Sequence, residues 1–143
     1  MVCDIIHKFA VLEKQKNNLE VEKTGSFIPK NIKKFLVCFR CYEKMTQDQS
    51  RILVMTCVND ILDLINDDLE IRPYLQDYPC TAYNIELLFV FADQNNKCAE
   101  PPFIALIFAG DGIIYYACYD YAQECFCDDK IETWEEAVRL SAP

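Results

Sequence analysis

The side chains with the most chemistry to offer are the nine cysteines, set against a single histidine. Cys125 and Cys127 are two apart, and on an extended segment residues i and i+2 share a face. Together with Cys118, and with Cys98 as a fourth donor, they would form a thiolate site for zinc or a redox centre. The spacing fits no zinc ribbon or finger. Cys38 and Cys41 have the C-x2-C spacing of half a zinc site, yet on a strand they point to opposite faces and read as core or surface thiols. A cysteine hydrolase needs a base to form its thiolate. His7 is the sole histidine, distant in sequence from every cysteine except Cys3. Carboxylates pair at Asp60 with Asp63, at Asp128-Asp129 and at Glu135-Glu136. An enzyme built on them would need a cleft holding two of these acids. Asp60, Asp63 and Asp67 fall on one helical face, a row that could bind a hard cation but is more often the solvated side of an amphipathic helix. Glycines clustered ahead of a helix, which cradle phosphate, are missing. Ser26, Ser50 and Ser141 lack the flanking glycines of a hydrolase elbow.

Two further features point to binding rather than catalysis. Arg72 is the lone positive charge between Asp67 and Asp77, placed to pair with Asp77, to tie its loop down, or to meet a partner carboxylate. Tyr115, Tyr119 and Tyr121 are spaced to share one face of a strand, with Tyr116 on the other, and tyrosine is enriched at interfaces.

These residues need positioning elements, and the pattern supplies them. Ile5, Ile6, Phe9 and Leu12 recur at helical spacing, with Lys8, Glu13, Lys14 and Lys16 turned to solvent. The helix covers residues 3 to about 20, and Leu19 to Val21 reads alternatively as a short extended segment. Thr24-Gly25-Ser26 is a break. Ile32–Tyr42 alternates as a strand with Phe35, Val37, Phe39 and Cys41 on one face. Thr46 and Gln49 form a capping box ahead of the apolar stripe Val54, Cys57, Val58, Ile61, Leu62 and Ile65. Residues 70–83 are a loop. Three strands follow: one through Ile85, Leu87, Phe89 and Phe91, one over Phe103–Ala109, and one over Ile113–Tyr119, the last two joined at Gly110-Asp111-Gly112. The acidic segment Asp120–Lys130 leads to a final helix capped by Thr133 and burying Trp134, Ala137 and Val138. The expected fold is a single α+β domain over 1–143, order α-β-α-β-β-β-α, with helices on one face of a mainly antiparallel four-stranded sheet.

Composition narrows the functional class. With 14 basic against 23 acidic residues and a net charge of −9, the chain is ill-suited to phosphate backbones or anionic membrane surfaces. A local basic patch is confined to Lys30, Lys33, Lys34 and Arg40. No transmembrane run is present. The odd cysteine count and the absence of a signal peptide predict mostly free thiols in a cytoplasmic protein, although export without a cleaved leader would read the same.

The motifs Gly25-Ser26, Ile32-Lys33-Lys34, Ile71-Arg72-Pro73-Tyr74-Leu75, Tyr78-Pro79 and Asn84-Ile85-Glu86-Leu87 resemble small uncharacterised proteins of chlamydiae and related intracellular bacteria. The hairpin with Gly112 and Tyr115-Tyr116, and the closing Trp134-Glu135-Glu136-Ala137, continue the likeness over most of the chain. Many such proteins look like lipoproteins. Here Cys3 follows no apolar leader, and Cys80 stands where an aromatic residue is expected. The resemblance implies the fold and no activity. The expected function is therefore protein binding or self-association without catalysis or cofactor, through Arg72, Tyr115, Tyr119 and Tyr121. The alternatives are the zinc or redox site on Cys118, Cys125 and Cys127, and a carboxylate enzyme.

Overall fold

In a computed structural model that describes residues 2–26 and 32–142, three helices accompany one six-stranded mixed sheet. The elements run α1 (Val2–Asn17), β1 (Leu19–Ser26), β2 (Phe35–Cys41), α2 (Gln47–Asn66), β3 (Ile85–Phe91), β4 (Leu106–Gly110), β5 (Ile113–Asp120), β6 (Cys125–Thr133) and α3 (Trp134–Ser141). Strand order follows chain order from β1 to β6. Every neighbouring pair is antiparallel except β2 and β3, which run parallel. The exception follows from α2, since two parallel strands need a long crossover to join them.

The sheet therefore has six strands where four were expected, with one added at each edge. β1 uses the extended option at Leu19–Val21 and continues through Thr24-Gly25-Ser26, the stretch read as a break. β6 converts most of the acidic segment 120–130 into a strand. Seven of its nine residues are exposed, so it lacks the apolar alternation by which a half-buried strand is recognised. Its hold on the molecule is polar instead. Arg51 on α2 donates from Nε to both oxygens of Glu132 on β6, at 3.1 and 3.0 Å, and also from Nη2. Tyr116 Oη donates to the same carboxylate at 2.9 Å and Gln47 Nε2 at 2.9 Å. Burial raises the Glu132 pKa, but the bonds from Arg51 and Tyr116 outweigh it and leave it below the ordinary value.

Alternation in β2 and β3 sends Phe35, Val37, Phe39 and Cys41, then Ile85, Leu87, Phe89 and Phe91, into the core. All three helices lie on this side. Phe9 of α1 meets Phe39 edge-on at 5.4 Å between centroids, α2 reaches Glu132 through Arg51, and Ala137 of α3 joins the same cluster. The Thr46 capping box is complete, with Gln49 N donating to the Thr46 hydroxyl and Gln49 Oε1 accepting from Thr46 N. Thr133, the predicted cap of the final helix, accepts from Glu136 N at 3.1 Å. Val138 is exposed rather than buried, so α3 inserts only its Trp134–Ala137 edge. Asp111 and Gly112 both have positive φ, 53° and 80°, as a tight two-residue hairpin requires.

One charged residue contradicts its expected place. Glu13, assigned to the solvent side of α1, is fully buried, because α2 packs over that flank of the helix.

Candidate functional site

The parity that fills the core leaves a second face that no described element covers. Register carries one continuous row across the whole sheet: Lys23, Cys38, Leu88, Phe108, Tyr115 and Ile131 are successive cross-strand partners. Val90 and Leu106 are partnered in the adjoining row. The four central members, Cys38, Leu88, Phe108 and Tyr115, are half-buried, and Ile131 is 63% exposed.

The Lys34 and Arg40 charges at the two ends of this face are paired within the chain, while Arg40 Nε is buried without a hydrogen-bond partner among the described residues. At one end the Lys34 ammonium donates to Glu86 at 2.9 Å and to Asp111. The bonds to Asp111 and Glu86 hold its pKa above the ordinary value. At the other end Arg40 pairs with Glu22 at 3.4 Å and donates to the Asp93 carbonyl at 2.6 Å, with its guanidinium 5.5 Å from the Tyr42 ring centroid. An apolar centre with a polar rim is the usual anatomy of a protein interface. Lys34 and Arg40 of the predicted basic patch stand at opposite ends, Lys33 is exposed ahead of β2, and Lys30 lies outside the described residues.

The predicted tyrosines are placed as follows. Tyr115 and Tyr119 sit on the open face, and Tyr116 is buried beneath the helices. Tyr121 is not on the strand at all. It stands in the turn after β5, its ring 4.7 Å from that of Tyr119, while Tyr119 meets Phe126 of β6 at 5.2 Å. The aromatic patch therefore includes Phe126, missed in the sequence because the segment holding it did not read as a strand. Burial, then a hydrogen bond to Asp129, raises the Tyr115 pKa.

Arg72 is elsewhere. It donates to the Asn66 carbonyl at the end of α2, at 3.1 Å, and stacks over Tyr78 at 4.2 Å. Asp77, its expected partner, accepts from Asn84 instead. Arg72 thus ties the 66–78 loop to the helix terminus and stays apart from the open face.

The cysteines are brought only partly together. Cys118 and Cys127 are direct partners across β5 and β6, with Cys125 two residues along. Burial, then the neighbouring Asp128, raises the pKa of both the Cys118 and Cys127 thiols, the opposite of what activates a thiolate. Among the described residues no group of three or more His, Cys, Asp or Glu is gathered to hold a metal ion, and eight cysteines are free thiols. Cys38 and Cys41 point to opposite faces, as their spacing requires. His7 is exposed on α1.

Two of the surface hollows among the described residues are lined by titratable side chains. One of about 380 Å³ lies beyond the C-terminal ends of β2 and β3, lined by Cys41, Lys44, Phe91, Lys97, Cys98 and Phe103 among others. The second, about 270 Å³, lies between α1 and α2 and brings together Asp60, Asp63 and Asp67 with Lys8. Asp60 there is engaged by Lys16 Nζ at 3.0 Å. The acid beside it with a strongly raised pKa, Glu13, is fully buried and so touches no ligand in the hollow.

No helix among the described residues is long and apolar enough to cross a membrane. No protein-family model matches the chain, and no curated protein or solved structure matches it either.

Proposed function

We propose that this protein is an association module that docks the open face of its sheet against an apolar surface of a protein partner, a second copy of the chain being the first candidate. The observation that carries the reading is the cross-strand row from Cys38 to Ile131, which no described element covers. Because the Lys34 and Arg40 charges are paired within the chain and Lys23 is exposed on the edge strand β1, the centre of the face can lose water without stranding a charge. The strand edges are poorer candidates. β1 has an irregularity between Val21 and Lys23. β6 is interrupted beside Cys118 and carries Asp128 with φ 52°. Bulges and charges of this kind discourage pairing with another strand.

The test is native mass spectrometry of reduced protein, wild type and Phe108→Lys, with and without chelator, over a range of concentrations. A concentration-dependent dimer lost in Phe108→Lys, with circular dichroism unchanged, is the expected result. A wild-type monomer at every concentration, combined with no binding of an apolar dye that Phe108→Lys removes, overturns the reading. A bound zinc lost with chelator would replace it by the thiolate alternative.

A further inference from the structure

A buried carboxylate on α1 has one oxygen that nothing in the neutral chemistry around it satisfies. Glu13 is fully buried. Its Oε2 accepts from Asn17 Nδ2 at 2.7 Å and from the Cys57 thiol at 3.4 Å. Oε1 has no hydrogen-bond partner among the described residues when both acids are taken as ionised. The group beside it is a second acid, Asp60 of α2, whose two oxygens face Lys16 Nζ at 3.1 and 3.0 Å. Two carboxyl groups in contact, one of them fully buried, cannot both ionise without strong repulsion. A proton on Oε1 removes the repulsion and supplies the missing donor in one step.

We infer that Glu13 is protonated in the folded protein and hydrogen-bonds to Asp60, so that one proton clasps α1 onto α2 and its loss loosens α1. The surroundings support this from every packed element. On α1 itself Lys16 is spent on Asp60, and Asn17 already donates to the other oxygen. From α2 come Cys57 and Asp60, a weak donor and a like charge. On β1, Glu20 is engaged by Lys14 and by Tyr42, and β2 presents the ring of Phe39 to the same helix. Among the described residues no hydrogen bond or ion pair brings a cation to Glu13 directly. Burial, followed by the Asp60 hydrogen bond, raises the Glu13 pKa from 4.5 to about 7.

The sign follows from proton linkage. Between about pH 4.5 and 7 the folded chain holds a proton that the unfolded chain has released, so stability falls as pH rises through that window and levels off above it. Over it, the unfolding constant of the wild type rises by up to about tenfold per pH unit relative to a chain with no titrating group at position 13. Glu13→Gln is such a chain, because its amide keeps a donor toward Asp60 at every pH.

The experiment is amide hydrogen exchange of the full chain from pH 5 to 8.5, corrected for intrinsic rates, on wild type and Glu13→Gln. Protection of α1 should decline with pH in the wild type and stay level in the variant. A carboxyl-carbon NMR titration of the wild type reads Glu13 directly and does not depend on the variant folding. A midpoint near neutrality is expected. A Glu13 midpoint in the ordinary carboxylate range, or the same α1 profile in both proteins, overturns the inference.

Discussion

Glu132 shows how a single side chain can decide an edge strand. It accepts from Arg51, Tyr116 and Gln47, and its side chain and that of Arg51 are only 7% and 8% exposed. Removing one member leaves the other buried and unpaired, so Glu132→Ala should cost ~3–5 kcal/mol in urea denaturation. Replacing both, as Arg51→Met with Glu132→Leu, should cost clearly less than the sum of the single changes. Additive costs would show that the pair is not acting as a unit. Thr46→Ala, which removes the α2 cap hydroxyl, should cost ~1 kcal/mol. The cap was legible because its signal is local, four residues long. The Glu132 partnership was not, because Arg51 lies 81 residues away and nothing in a linear pattern joins them.

Among the elements, β3 sets out the contrast between the two sheet faces most simply. Phe89 is fully buried against Phe39, with centroids 5.3 Å apart, while its neighbour Leu88 stands on the open face. Phe89→Lys should abolish cooperative folding, since it buries an unpaired charge. Leu88→Lys should shift stability by less than ~1 kcal/mol and act on association instead. Equal thermal melts for the two variants would contradict the assignment of faces. At the β4–β5 turn, Gly112 has φ 80°, and a Cβ there would lie 2.6 Å from the Tyr83 ring. Gly112→Ala should therefore destabilise the hairpin by more than ~1 kcal/mol. This turn was readable from Gly110-Asp111-Gly112, as were the core faces of β2 and β3, because each rests on neighbouring residues and a two-residue period. β6 was not, because an exposed edge strand carries no apolar period.

For the molecule as a whole, two buried acids of opposite tendency shape the response to pH. Glu132, held below its ordinary pKa once its hydrogen bonds outweigh burial, contributes stability above the unfolded value of 4.5 that is lost as pH falls through its folded pKa. Glu13, raised by burial and by Asp60 to about 7, contributes in the other direction and loses its advantage between about pH 4.5 and 7. The net charge of −9 at pH 7 adds self-repulsion on the alkaline side. Urea midpoints measured from pH 3 to 9 should peak at ~pH 5. A midpoint still climbing from pH 5 to 8 would rule out the Glu13 assignment.

By itself the sequence determined the α+β class, the capped central helix, the inner faces of β2 and β3 and the tight β4–β5 turn, because each depends on short-range periodicity or on backbone preference. It also placed Tyr115 and Tyr119 on one face, since alternation along a strand is a local rule. Only the tertiary structure decided that the sheet has six strands, that Tyr121 leaves the strand while Phe126 joins the aromatic patch, and that Arg72 ties down a loop. The same holds for Glu13, drawn from the solvent side of its helix into contact with Asp60. Those outcomes turn on which distant groups meet: a polar side chain takes its role from its partner, and the identity of that partner is fixed only once the chain has folded.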